Sequence, residues 1–232
     1  MPAEPSARLR FSFNNSTSYH RTEFTVLSWA TLIPDNTDAR HHYFYGLQIM
    51  LHPFLQVQNI TGKLRFEVNE NMGCFVFPET WSGPLLGEFE ELLDAYDTDE
   101  ISETGYITRL SRLARQAPDF IDVHAHLAYV FLEQNAPRKA LNAALKGLAA
   151  GNRLIPESFS GEIIWMHPEN RPYLRALYAA ILANVHLQRH QDAVMLTDKI
   201  LAYNPEDNQG ARWLLGSELL RTGDHERAFS VL

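Results

Sequence analysis

Two hydrophobic periods divide this chain. Over residues 8–80 apolar and polar positions tend to alternate, and past Leu85 the apolar positions recur every three or four residues. The first pattern marks half-buried strands, the second helices with one apolar face. Arg8-Leu9-Arg10-Phe11-Ser12-Phe13 alternates, and Asn14 to Ser18 follows as a turn. Glu23 to Ile33 is a second candidate strand, stopped by Pro34-Asp35-Asn36-Thr37-Asp38. His42 to Leu51 reads as either a strand or a short helix. Lys63 to Asn69 alternates cleanly, with Leu64, Phe66 and Val68 on one face. Asn71-Met72-Gly73 reads as a turn, and Cys74 to Phe77 as a short last strand. Residues 1–83 are therefore expected to form a small, mainly antiparallel β-rich domain that ends in the loop Pro78 to Pro84.

Helical spacing then takes over. Leu85, Leu86, Phe89, Leu92, Leu93 and Tyr96 predict one helix, and Ile107, Leu110, Leu113 and Ala114 its partner ahead of Pro118. An acidic loop, Asp97 to Glu103, joins them. Val123 to Glu133 and Pro137 to Ala150 form the next pair; Pro137 suits a first helical turn and Gly151 the position past a helix end. Two further hairpins follow in register, with Ala193 and Ala228 at matching places 35 residues apart. Between Ala140 and Ala193 the offset is 53, so an insert is expected near 152–172. It holds Phe159, Ile163, Ile164 and Trp165, and is too apolar for a loose loop. A short extra helix or a packed lid is expected there. The chain stops part-way through a helix at Leu232, which suggests either a truncation or a homodimer contact through that helix edge.

Charge and composition narrow the classes. The formal charge is −8, and residues 81–117 carry eight acids against three bases. Neutralising phosphates needs a basic surface, so nucleic acid is not an expected partner. The longest apolar stretch, Phe24 to Ile33, is too short to span a bilayer, and the N-terminus lacks the apolar core of a signal peptide. The single cysteine, Cys74, excludes an internal disulfide and sits in an apolar run that suggests a buried structural thiol. A cytoplasmic setting is expected.

Catalytic signatures are not found. There is no Gly-rich phosphate loop and no Gly-x-Ser-x-Gly. His186 and His190 are four apart, but no HExxH accompanies them and His190 falls in a turn. No metal, no cofactor and no enzyme activity are expected. Asn170 is placed to cap the helix that Pro172 starts. Arg171 and Arg175 lie one turn apart, either pairing with the insert or meeting a ligand.

From Pro118 onward the chain resembles the tetratricopeptide repeat (TPR) superfamily, most closely over Ala193–Pro205 and Trp213–Ala228, and the 35-residue offset is close to that family's period of about 34. Trp165 with Glu169 to Ala176, and Asn204 to Gly210, looks like a subtype found in poorly characterised bacterial proteins and some eukaryotic relatives. With the β-rich domain read from alternation at 1–83, the expected fold class is α+β, and the resemblance implies an all-α TPR-like solenoid of helical hairpins at 84–232. It also implies a concave groove lined by Asp122, Tyr129 and Glu133, then Tyr178, Leu182 and His186, then Trp213 and Arg221, with Arg171 and Arg175 at its mouth. The Lys/Asn/Arg clamp of the chaperone-binding subclass is missing: those positions hold Ala125, Tyr129, Ala179, Gly210 and Leu214. The expected function is that of a non-enzymatic adaptor or chaperone-like protein holding a partner peptide or helix. Two alternatives remain: a small-ligand or enzymatic N-terminal module delivered by the helical part, and a self-assembling structural subunit.

Overall fold

The computed structural model describes residues 62–231. The strand candidates between residues 8 and 51 lie outside the described residues. Within them the protein is mostly helical, with eight helices and one two-stranded antiparallel sheet. The elements run β1 (Arg65–Asn69), β2 (Met72–Val76), α1 (Pro84–Asp97), α2 (Glu103–Gln116), α3 (Ile121–Glu133), α4 (Pro137–Asn152), α5 (Arg171–His186), α6 (His190–Tyr203), α7 (Ala211–Thr222) and α8 (His225–Val231). None of these helices is long and apolar enough to cross a membrane.

The helices form four consecutive hairpins, and one turn recurs in all of them. The chain leaves α1, α3, α5 and α7 through a left-handed residue: Asp99, Asn135, Gln188 and Gly223, with φ of 60, 54, 57 and 85°. The next residue donates its N–H five positions back, as Glu100 to Ala95, Ala136 to Phe131, Arg189 to Asn184 and Asp224 to Leu219. This is the Schellman arrangement, which satisfies carbonyls that a helix end leaves bare. In the last three hairpins the second helix begins two residues after the left-handed one, and its fourth residue is Ala140, Ala193 or Ala228, each at most 1 % exposed. A methyl side chain there lets the two helices approach closely. Gly147 does the same further along, where an added Cβ would lie 3.1 Å from that of His124. The first hairpin departs from the pattern. Its loop is longer, Ser102 caps α2 by accepting the Gly105 N–H, and the fourth residue of α2 is Tyr106, stacked on Tyr96 with ring centroids 4.0 Å apart.

The β-hairpin turns at Glu70–Asn71, earlier than the Asn71-Met72-Gly73 expected, because Met72 and Gly73 stay in the ladder opposite Asn69 and Val68. Leu64 is buried and Phe66 half-buried, while Val68 is 48 % exposed. The alternation thus marks the strand, but its far end runs past the helices. Gly73 also donates to the Glu162 carbonyl, and Glu162 donates to that of Asn71. The far edge of β2 is therefore covered by the insert. Glycine is required at 73, since an added Cβ would lie 2.2 Å from the Phe66 ring.

The insert is an irregular, docked strap with a single 3-10 turn at Pro168–Asn170. Ile163 is fully buried and donates its N–H to the Tyr203 carbonyl at the end of α6. Trp165 N–H reaches the side-chain oxygen of Asn204, which is itself buried. Asn170 does not cap α5 through its side chain. Instead its amide oxygen accepts the Phe75 N–H at 3.0 Å, and its NH2 donates to the carbonyls of Gly73 and Ile164, both at 3.1 Å. One buried side chain so joins β2, the strap and the start of α5.

Aromatic rings complete the union. Phe75 packs on Tyr173 of α5, and Gly151 of α4 leaves room for that ring, which would lie 2.5 Å from a Cβ there. Trp81 and Phe77 pack on Phe120 at the entrance to α3, and Phe89 of α1 joins them. Residues 62–81, read from sequence as the end of the β-rich domain, thus pack with the helices.

Asn170→Ala leaves two buried backbone groups, the Phe75 N–H and the Gly73 carbonyl, without partners. Each such group costs about 1–3 kcal/mol, so a loss of about 2 kcal/mol or more is expected in urea unfolding. A loss below about 1 kcal/mol would mean that the strap is not held by this side chain.

Candidate functional site

A chain of polar groups runs through the interior between successive hairpins. It starts at Asp122, in the first turn of α3, where a carboxylate suits the positive end of the helix dipole. Asp122 is 1 % exposed and takes two hydrogen bonds from Arg175 of α5: Nε to Oδ1 at 2.9 Å and Nη2 to Oδ2 at 2.6 Å. Arg175 is itself buried. Its guanidinium carbon lies 6.0 Å from the centre of the Trp165 ring on the strap, and that of Arg171 5.4 Å from it. Arg171 also donates from Nε to the Trp165 carbonyl. Tyr129 donates its hydroxyl to the Arg175 carbonyl at 3.2 Å.

The chain continues toward the first hairpin through His126, one turn beyond Asp122. Its Nε2 lies 3.8 Å from Asp122 Oδ1, and its Nδ1 is 2.9 Å from the Tyr106 hydroxyl of α2. Burial pushes the His126 pKa down to about 4; the Asp122 carboxylate opposes this and Arg175 reinforces it. The imidazole is neutral at pH 7. Burial, with Asp122 second, pushes the Tyr106 phenol up, so it stays protonated. A phenol donating to Nδ1 leaves the Nε2 proton on the side of Asp122.

These contacts divide the ten groove residues expected from sequence. Asp122, Tyr129 and Arg175 lie in the interior, where they hold α3 to α5 and are not on a groove surface. The reason is their mutual complementarity, which a one-dimensional pattern does not display. Arg171 is half-buried and committed to the strap. Tyr178 and Leu182 of α5 are half-buried, and His186 and Glu133 are exposed at the ends of their helices. Burial, with the Asp207 carboxylate second, pushes the Tyr178 phenol pKa up, which places the loop before α7 near that ring. Trp213 of α7 is 70 % exposed. Arg221 is exposed but hydrogen-bonded through Nη1 to the buried Glu218 at 2.9 Å.

His190 does not face His186 across an open site. Its Nδ1 lies 2.6 Å from Glu218 Oε2, joining the start of α6 to α7. Among the described residues no group of three or more His, Cys, Asp or Glu side chains is placed to hold a metal. Cys74 is half-buried, and burial pushes its thiol pKa up, with Glu169 and Glu67 adding to the effect. That disfavours the nucleophilic thiolate. Sequence reasoning missed the roles of His126, Tyr106 and Trp165. The four-residue spacing of Asp122 and His126 is the signal in the sequence that could have indicated the first.

Two outcomes test this interior chain. Asp122→Ala strands a buried guanidinium, and removing one partner of such a pair costs about 3–5 kcal/mol, whereas replacing both by apolar residues is often neutral. In urea unfolding Asp122→Ala should be far less stable than Asp122→Leu with Arg175→Met; equal losses would deny the coupling. The His126 pKa is lower in the folded state than its ordinary 6.5, so the unfolded chain binds the extra proton. Stability from this group is full above pH 6.5 and is lost as pH falls toward 4, by about 3 kcal/mol in all. His126→Gln should flatten that part of the pH profile, and an unchanged profile would remove His126 as its source.

No protein-family model matches this chain, and no curated protein matches it either.

Proposed function

We propose that this protein is a non-enzymatic adaptor of the tetratricopeptide-repeat kind, which holds a peptide or helix of another protein along the α5–α7 face. The observation that carries the reading is Trp213, a large aromatic side chain 70 % exposed on the first helix of the last hairpin. Solvent gains nothing from such a residue, whereas a partner that covers it gains much. Exposed aromatic and Arg side chains are the usual anchors of protein interfaces. Tyr178 and Leu182 offer half-buried apolar surface on α5, and Arg221 and His186 add polar groups near helix ends.

The repeated helical hairpin supports the same reading. Stacked hairpins present their first helices side by side, a common frame for holding extended segments. Asp122, Tyr129 and Arg175 belong to the frame rather than to the surface. The anchors are thereby reduced to Tyr178, Leu182, His186, Trp213 and Arg221, with Glu133 at the edge.

Affinity capture with the full chain tests the proposal, comparing wild type with a Tyr178→Ala/Trp213→Ser double variant. Loss of one interface anchor costs about 2 kcal/mol or more, close to thirtyfold in affinity. The captured partner should therefore disappear from the double variant while helicity by circular dichroism is retained. Met195→Ser on α6, also an exposed apolar position, should leave capture unchanged. Equal recovery by wild type and double variant would sink this face as the binding site.

A further inference from the structure

On the side of α3 away from Asp122 and Tyr129, an open groove of about 490 Å3 runs between α2, α3 and α4. Leu127 and Phe131 of α3 form its floor. Arg115 of α2 and Lys139 and Lys146 of α4 stand around it, and no carboxylate lines it. Among the described residues, no carboxylate is ion-paired with any of these three cations. This contrasts with a chain whose net charge is −8. Lys139 sits over the Phe131 ring, its nitrogen 5.7 Å from the centroid. Its stem therefore extends the apolar floor while the ammonium group stays at the edge.

We propose that this groove binds an acidic amphipathic helix of another protein. Leu127 and Phe131 would take its apolar stripe, and Arg115, Lys139 and Lys146 its carboxylates. Lys139 and Lys146 are seven residues apart on one helix, about 10 Å and two turns. An antiparallel or parallel partner helix repeats its own side chains at that distance, so two successive acidic turns meet two cations. The charge is local, which suits a short acidic segment. A nucleic acid would meet the same cations, but it has no apolar stripe for the floor. A single small anion would leave Leu127 and Phe131 facing water. The site lies on a different face from the one proposed for the adaptor function, and each stands or falls without the other.

Fluorescence anisotropy on the full chain tests this. The probe is a labelled model peptide with leucines at successive i, i+3, i+4 and i+7 positions and glutamates elsewhere. Two control probes are the same peptide with lysines for glutamates, and a labelled oligothymidylate. Arg115 and Lys146 are exposed, so Arg115→Glu with Lys146→Glu should fold normally; Arg115→Gln with Lys146→Gln serves where the reversal disturbs helicity. Wild type should bind the glutamate peptide and lose affinity as salt rises. The charge-reversed variant should bind at least tenfold more weakly, and Trp213→Ser should bind like wild type. Equal affinity in wild type and the charge variants, failure of the glutamate peptide to bind, or tighter binding of either control probe would overturn the proposal.

Discussion

The bidentate contact between Asp122 and Arg175 is the constraint on which the helical part depends. It joins residues 53 positions apart, across the place where the repeat is interrupted by the strap. Hairpins normally keep register because one follows the next after a short link. Here 18 residues separate α4 from α5, and the link alone cannot fix where α5 sits. The planar guanidinium meets the carboxylate in one geometry only, so the pair selects a single register for α5 against α3. Two buried charges bring little net stability, because both must be stripped of water. Their contribution is to make every other alignment strand a charge.

The same contact explains why the strap is ordered. Arg175 and Arg171 lie against the Trp165 ring, so positioning α5 also positions the indole. Asn170 then fixes the next turn of chain to β2. The β-hairpin, strap and α5 are consequently one packed body, although the sequence between them looks like two separate elements and an interruption. The polar side chains between the hairpins pair with one another, and two outward faces of the helical part differ in character. One carries an exposed indole, the other an apolar floor edged with cations.

Much of the helical part was legible from sequence. The spacing at Leu85 to Tyr96, the small residues at 140, 193 and 228, and the proline at 137 each express a local rule, and local rules survive in one dimension. The strap was legible only as an offset too long by about half a repeat, with too many apolar residues to be loose. What could not be read was how side chains on separate elements complete each other. Asp122, Tyr129 and Arg175 carry the residue types of a binding groove, and type alone does not separate an anchor for a partner from an anchor for the fold. Asn170 stands where a helix cap would stand, yet it bonds to a strand 95 residues away in sequence. The basic groove was not legible because its three cations come from two helices, with α3 between them in the chain, and the net charge of −8 hides a local excess of bases.

The recurring left-handed turn has a bearing on how this architecture can change. Within three hairpins the step from that residue to the next helix is constant, whereas the links from one hairpin to the next hold 4, 18 and 7 residues. The turn closes a fixed set of hydrogen bonds, and they survive in the first hairpin although its loop is longer. The links close none in common, so they can grow. The strap is what such growth looks like once the added chain has found apolar partners of its own. In this protein the hairpin is the constant unit, and differences in length gather at the joints.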